Sequence, residues 1–168
     1  MFARYFVEIP LARGRVEAAL SEHPRRWLPG LANAANRRGD ELLAEVGFGE
    51  AIRIEREVRV EIGPPHRSAS KTVFPLSWEA ADRPGLFPSL DADLEVAPLG
   101  PAWTQLAMNA RYVPPFRAIG RALDRAILSR VAEATLKDFL DHVAVAVSEP
   151  QVEPAAPGIH PRLALETP

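Results

Sequence analysis

The residues from Phe116 to Val147 constrain this chain more than any other stretch. Ile119, Leu123, Ile127 and Val131, then Leu136, Phe139, Leu140, Val143 and Val147, recur at three- and four-residue steps, lining one side of a helix with apolar groups. No proline interrupts the run and strong helix formers fill it, so it predicts one amphipathic helix of roughly 45 Å. Pro114 and Pro115 stand just before it, where a missing amide costs a helix little, and Pro150 stands just after it. A helix this long with one apolar face needs a large apolar surface to cover it, and the rest of the chain must supply that surface.

Most of what precedes it has the period of two that marks half-buried strands. Tyr5, Val7 and Ile9 share one side of a first strand, Arg4 to Pro10, with Arg4 and Glu8 on the other. From Glu41, Leu42, Ala44, Val46 and Phe48 predict a strand that turns at Gly49-Glu50, where a glycine suits a two-residue type II′ hairpin. Ile52, Ile54, Val58, Val60 and Ile62 continue on a longer strand whose opposite face, Arg53, Glu55, Glu57, Arg59 and Glu61, is wholly charged with both signs. That is the composition of a sheet wet on one side. Lys71 to Trp78, with Phe74, Leu76 and Trp78 on one face, predicts a further strand that Pro75 pushes toward an edge or a bulge. Asp91 to Leu99 and Trp103 to Tyr112 predict a pair joined at Gly100-Pro101, with Leu94, Val96, Leu106, Met108 and Tyr112 on the apolar side.

Between the first strand and this meander, Val16 to Leu20 predict a short helix closed by Pro24. RRWLPGLANAANRRGD, around Trp27, Leu28 and Leu31, is interrupted by Pro29-Gly30 and reads as well as a helical turn and loop as it does a second helix. Residues 148–168, with prolines at 150, 154, 157, 161 and 168, predict a flexible tail after a single domain over residues 1–147. The fold class is therefore α+β: an antiparallel sheet of six or seven strands, with one or two short helices after the first strand, packed against one long C-terminal helix.

Composition narrows the function. A chain of 168 residues that is 47% hydrophobic and 25% charged is long enough for one sizeable core. With 20 Lys and Arg against 22 Asp and Glu, and no basic run, nucleic acid is not the indicated partner. The absence of cysteine excludes disulfides and thiol catalysis, and His23, His66, His142 and His160 are scattered without paired ligand spacing, so no metal or other cofactor is expected. The first residues lack an apolar run of signal-peptide length and HVAVAVS is too short to span a bilayer, which leaves no integral membrane segment and a cytoplasmic default.

The order of strand, short helices, meander and long helix resembles the helix-grip fold of the START-related superfamily (SRPBCC). The run LFPSLDADLEVAPLGPAWTQLAMNARYVPP, followed by GRALDRAILSRVAEATLKDFL, is similar to a bacterial group of polyketide cyclase/dehydrase and lipid-transport-like proteins. The resemblance covers about residues 1–147. It implies a curved sheet gripping the last helix with a ligand cavity between them, in a superfamily that includes lipid and hormone carriers and aromatase/cyclases. No catalytic motif of the family maps onto this chain residue by residue, and fold alone does not choose among these activities.

Candidate site residues follow from which face each strand turns inward. Phe74, Trp78, Leu94, Val96, Leu106, Met108 and Tyr112 from the sheet, and Leu123, Ile127 and Val131 from the helix, would line a cavity or fill a core. Arg56 has the parity of Ile54 and Val58, which puts a permanent cation on the apolar face. Either it clamps a carboxylate, phosphate or enolate of a ligand, or a bulge turns it outward or it reaches to the rim. Tyr112 has a hydroxyl that needs a partner if buried, so it is also a candidate acid. His142 is an acid/base candidate near the cavity's far end, or an exposed residue at a helix C-terminus. The apolar tip Leu86-Phe87 reads as a gate over a cavity or as a plug in it. The leading expectation is a carrier or sensor of a hydrophobic small molecule, acidic if Arg56 faces it. The alternatives are a cyclase, aromatase or dehydratase using the same cavity, and a protein-interaction module, a homodimer included, whose core is filled by its own side chains.

Overall fold

The computed structural model describes residues 1–22, 24–43, 58–80, 89–113 and 125–149. The hairpin expected at Gly49-Glu50, Arg56, the Leu86-Phe87 tip, Leu123 and the tail from Pro150 lie outside these residues.

The described elements run in the order β1 (Phe2–Ile9), α1 (Arg13–Ser21), α2 (Pro24–Leu43), β2 (Val58–Ile62), β3 (His66–Arg67), β4 (Thr72–Ala80), β5 (Ser89–Pro98), β6 (Thr104–Val113) and α3 (Arg125–Ser148). The six strands form one antiparallel sheet in the order β1-β6-β5-β4-β2, with β3 also pairing with β4. Alternation sets its two faces as the sequence predicts. Phe74, Leu76 and Trp78, Leu90, Leu94 and Val96, and Leu106, Met108 and Tyr112 are buried on one side, while Asp91, Asp93 and Arg111 are exposed on the other.

The last helix covers the buried face. Leu128, Val131, Ala132, Leu136, Phe139, Leu140, Val143 and Val147 make its buried stripe. Phe139 is the centrepiece, wholly buried with its ring centroid 5.0 Å from that of Trp78 at a tilt of 54°. Leu128 takes the deep position in the first described turn and Ile127 stands half-buried beside it.

One open alternative is settled and two expectations are corrected. The segment around Pro29-Gly30 is a helix, and a longer and more continuous one than the broken segment the sequence suggests, because Leu28, Leu31, Ala32, Ala35, Gly39 and Leu42 fall on one helical side and pack inward. Pro24 occupies its first turn, where its missing amide is harmless, and Pro29 is carried inside it. Small residues at 32, 35 and 39 bring α2 so near α3 that a β-carbon on Gly39 would stand 2.6 Å from Thr135 Oγ1. Of the two corrections, the first is that no strand begins at Glu41, since Glu41, Leu42 and Leu43 are the last residues of α2. Second, β4 is not an edge strand: it lies between β5 and the pair β2 and β3. Pro75 is tolerated there because its carbonyl accepts from the Gly63 amide at 2.8 Å, toward the β2 side. A strand residue's amide and carbonyl point the same way, so the missing N–H of Pro75 faces the break at Gly63-Pro64-Pro65 and interrupts no ladder.

A polar knot fastens α1 to the sheet. Arg13 donates to the carbonyls of Ser68 (3.1 Å) and Ala69 (3.2 Å) and to Thr72 Oγ1 (2.9 Å), and Thr72 donates to Glu17 Oε1 at 2.7 Å. Burial pushes the Glu17 carboxyl up, but hydrogen bonds from Thr72 and Arg13 and the charges of Arg13 and Arg67 outweigh it and hold the group below its ordinary range.

Candidate ligand-binding site

Phe74 and Trp78 on β4, Leu94 and Val96 on β5, Leu106, Met108 and Tyr112 on β6, and Val131 on α3 come together in one buried cluster, with Ile127 packed against it. The structure thus gathers every described residue expected at the site. It gathers them as neighbours in contact, Trp78 against Phe139 above all, so over β4, β5 and β6 the layer between sheet and α3 is filled with side chains. His142 lies on the outer side of α3, exposed, with Nδ1 2.6 Å from the Asp138 carbonyl oxygen and 3.4 Å from Asp138 Oδ2. It faces solvent rather than the interior.

Open space lies at the margin of this core. A cleft of about 460 Å³ runs between α2 and β2, lined by Leu28, Pro29, Arg59, Val60, Glu61 and Ile62. Val60 and Ile62 have the inward parity of β2 and stand in register opposite Trp78 and Leu76, so the cleft adjoins the buried cluster. They remain half-buried where inward residues of the neighbouring strand are covered. Arg59 and Glu61 have the outward parity and are exposed, which places one charge of each sign at the rim. The wall opposite is Leu28, 1% exposed, and the half-buried ring of Pro29.

A larger hollow, about 570 Å³, is on the other face of the sheet. Its floor is a row across five strands, Phe2, Arg111, Asp91, Ser77 and Glu61, set by the strand registers. The Arg111 guanidinium lies over the Phe2 ring, 5.3 Å from its centroid. This is an open trough with three carboxylates, Glu61, Asp91 and Asp93, on its walls. The trough lies on the sheet's outer face, whereas the smaller cleft adjoins the buried core through Leu28, Val60 and Ile62.

Leu28 and Pro29 were missed as site residues because a Pro-Gly pair reads as punctuation, and only tertiary packing shows that the helix carries through it. Val60 and Ile62 were legible as inward-facing. What marks them out is their incomplete cover, which depends on a neighbour about thirty residues away and leaves no local trace.

No protein-family model and no curated protein matches the chain. Among solved structures, a conserved protein from Geobacillus kaustophilus superposes with a TM-score of 0.54 at 14% identity, over 88% of this chain and 95% of that one. The Zhui aromatase/cyclase from Streptomyces sp. R1128 superposes with a TM-score of 0.41 at 13% identity, over 88% of this chain and 93% of that one. Norcoclaurine synthase from Thalictrum flavum superposes with a TM-score of 0.31 at 14% identity, over 84% of this chain and 87% of that one. At such identities the likeness is one of fold, and of the three only the first superposes closely enough to argue from. With an antiparallel sheet holding one long helix against its buried face, the chain has a helix-grip α+β fold.

Proposed function

We propose that the protein is a carrier or sensor that binds a hydrophobic small molecule in the cleft between α2 and β2, against the margin of the core. The observation that carries this reading is the unfilled volume of about 460 Å³ beside Leu28, Pro29, Val60 and Ile62, within the roughly 300–1,000 Å³ range of small-molecule sites. A ligand there would cover Val60 and Ile62 as Trp78 and Leu76 are already covered, and burial of apolar surface would drive its binding. The exposed Arg59 at the rim suits an acidic headgroup, and Glu61 beside it moderates that preference. The filled layer over β4 to β6 speaks against a ligand lying deep beneath α3, so the cleft, rather than the whole space between sheet and helix, is the proposed site.

Native mass spectrometry of the purified protein, with extraction of any copurified lipophile, tests occupancy and chemical class together. A polarity-sensitive fluorescent fatty acid then serves as the probe for wild type and for Val60→Trp, which fills the cleft from its sheet side. The expected result is saturable uptake by wild type, loss of at least tenfold in affinity for Val60→Trp, and an unchanged circular dichroism spectrum. Equal affinity in the two proteins, or no saturable uptake by wild type, overturns the reading.

A further inference from the structure

Among the described residues, β1 has a neighbouring strand, β6, on one side only, and so ends the described sheet. Its register with β6 is unbroken from Phe2 to Ile9, and it contains neither proline nor bulge. Sheets commonly use those two devices to blunt an open edge.

The direction of its backbone groups is fixed by one pair. The Met1 amino group donates to the Tyr112 carbonyl at 2.7 Å and the Tyr112 amide donates to the Met1 carbonyl at 2.8 Å. Alternation from that pair turns the amides and carbonyls of Ala3, Tyr5, Val7 and Ile9 toward β6 and those of Phe2, Arg4, Phe6 and Glu8 toward the open edge. The side chains of these same four residues stand on the outer face. Phe2 is 80% exposed and Phe6 53%, a large aromatic surface on a strand that ends the described sheet.

We propose that this edge is a self-association surface, occupied by β1 of a second copy running antiparallel about a two-fold axis at Phe6. Charge selects both occupant and register. Centred on Phe6, the pairing sets Arg4 opposite Glu8 of the second copy and Glu8 opposite its Arg4, while the two Phe6 rings meet on the axis. Shifting the register to bring Phe2 opposite Phe6 places Arg4 against Arg4, a like-charge pair that destabilises a ladder. In the favoured register the outward-pointing amides of Arg4, Phe6 and Glu8 all meet carbonyls. On the inner face, half-buried Tyr5 and Val7 lie opposite Val7 and Tyr5 of the second copy. Both sheets continue through the axis, and the interface is isologous, as a closed dimer requires.

The chain has no cysteine, so single-cysteine variants report the register directly. A hydrogen-bonded antiparallel pair sets Cα atoms about 5.5 Å apart, within disulfide reach. Phe6→Cys is expected to cross-link to itself under mild oxidation. Phe2→Cys is not, because its counterpart lies eight residues along the strand, roughly 27 Å away. Sedimentation velocity on Arg4→Glu and on Glu8→Arg should show dimer dissociation strengthened by about tenfold in each, and the double variant should restore association. All four substitutions are on exposed side chains, and circular dichroism checks their folding. A wild type that stays monomeric at every concentration, equal cross-linking of Phe2→Cys, or a dimer indifferent to both charge reversals overturns the proposal. Concentration-independent exchange protection of the Arg4, Phe6 and Glu8 amides does so too, since it would mean the chain covers its own edge.

Discussion

Replacing Gly39 by alanine puts two opposite effects on one atom. In the interior of a helix, alanine is favoured over glycine by about 1 kcal/mol, so with free space around position 39 the change would stabilise the protein. Space is not free: the new β-carbon would stand 2.6 Å from Thr135 Oγ1, closer than real β-carbons approach an oxygen. Thr135 is 2% exposed and its hydroxyl donates to the Val131 carbonyl at 2.8 Å, so it has neither room nor freedom to swing aside. Rotating its branched side chain only exchanges one γ atom for the other. Overpacking of this kind costs about 1–3 kcal/mol, which outweighs the helical gain and leaves Gly39→Ala about 1 kcal/mol less stable, a fall in Tm of about 2–4 °C for a chain of this size. Thr135→Ala reverses the sign. Without Oγ1 the nearest neighbours are Val131 Cγ1 at 3.6 Å and the residue-135 Cβ at 3.9 Å, both ordinary contacts. In that background Gly39→Ala should stabilise by up to about 1 kcal/mol, giving a coupling of about 2 kcal/mol. Urea unfolding of the four proteins, compared by midpoint at constant slope, measures it. An equal effect of Gly39→Ala in both backgrounds would refute the claim that Gly39 is there to let α2 reach α3.

Other consequences are more quickly stated. Phe139→Ala removes the wholly buried ring against Trp78 and should cost about 3–5 kcal/mol by urea unfolding; a loss under about 1 kcal/mol would mean that the layer under α3 is hollow rather than filled. The folded-state pKa of Glu17 is depressed, so its contribution to stability is present above the unfolded value near 4.5 and is lost as pH falls through the lower folded value. Glu17→Gln should therefore lower stability at pH 7 by about 1–2 kcal/mol, and the gap to wild type should close on acidification; a gap constant down to pH 2 would assign the effect to packing.

Much of the architecture was legible because two periods carry it. Tyr5, Val7 and Ile9, then Leu94 and Val96, then Leu106, Met108 and Tyr112 alternate with polar residues, and each set turns toward the core as its parity demands. The stripe from Val131 to Val147 is likewise the buried side of α3. The failures fall where local signals are ambiguous or where long-range partners decide. Leu42 fits a strand with Ala44 and equally a helix with Ala35 and Gly39, and the packing of α2 against the core settles it. Half of the inward stripe of α2 is alanine and glycine, which look unremarkable in a hydrophobicity pattern yet allow the close approach to Thr135 at Gly39. Pro75 signals an edge only if its strand has one neighbour. Here β4 has partners on both sides, and the edge condition is met over a three-residue break instead.

The candidate site shows the same division more sharply. Parity says which way a side chain points and nothing about how far away the next one is, so an inward list such as Phe74, Trp78, Leu94 and Met108 describes a lined cavity and a filled core equally well. Distance decides, and Trp78 at 5.0 Å from Phe139 makes that part of the interior a core. The cleft lies instead at β2, where the helix facing the strand presents Leu28 and a proline ring. The small residues of the same helix press its later turns against α3. One helix thus presses its later turns against α3 and borders the cleft with its earlier ones, so under the proposed function the sequence of α2 sets the room a ligand would have.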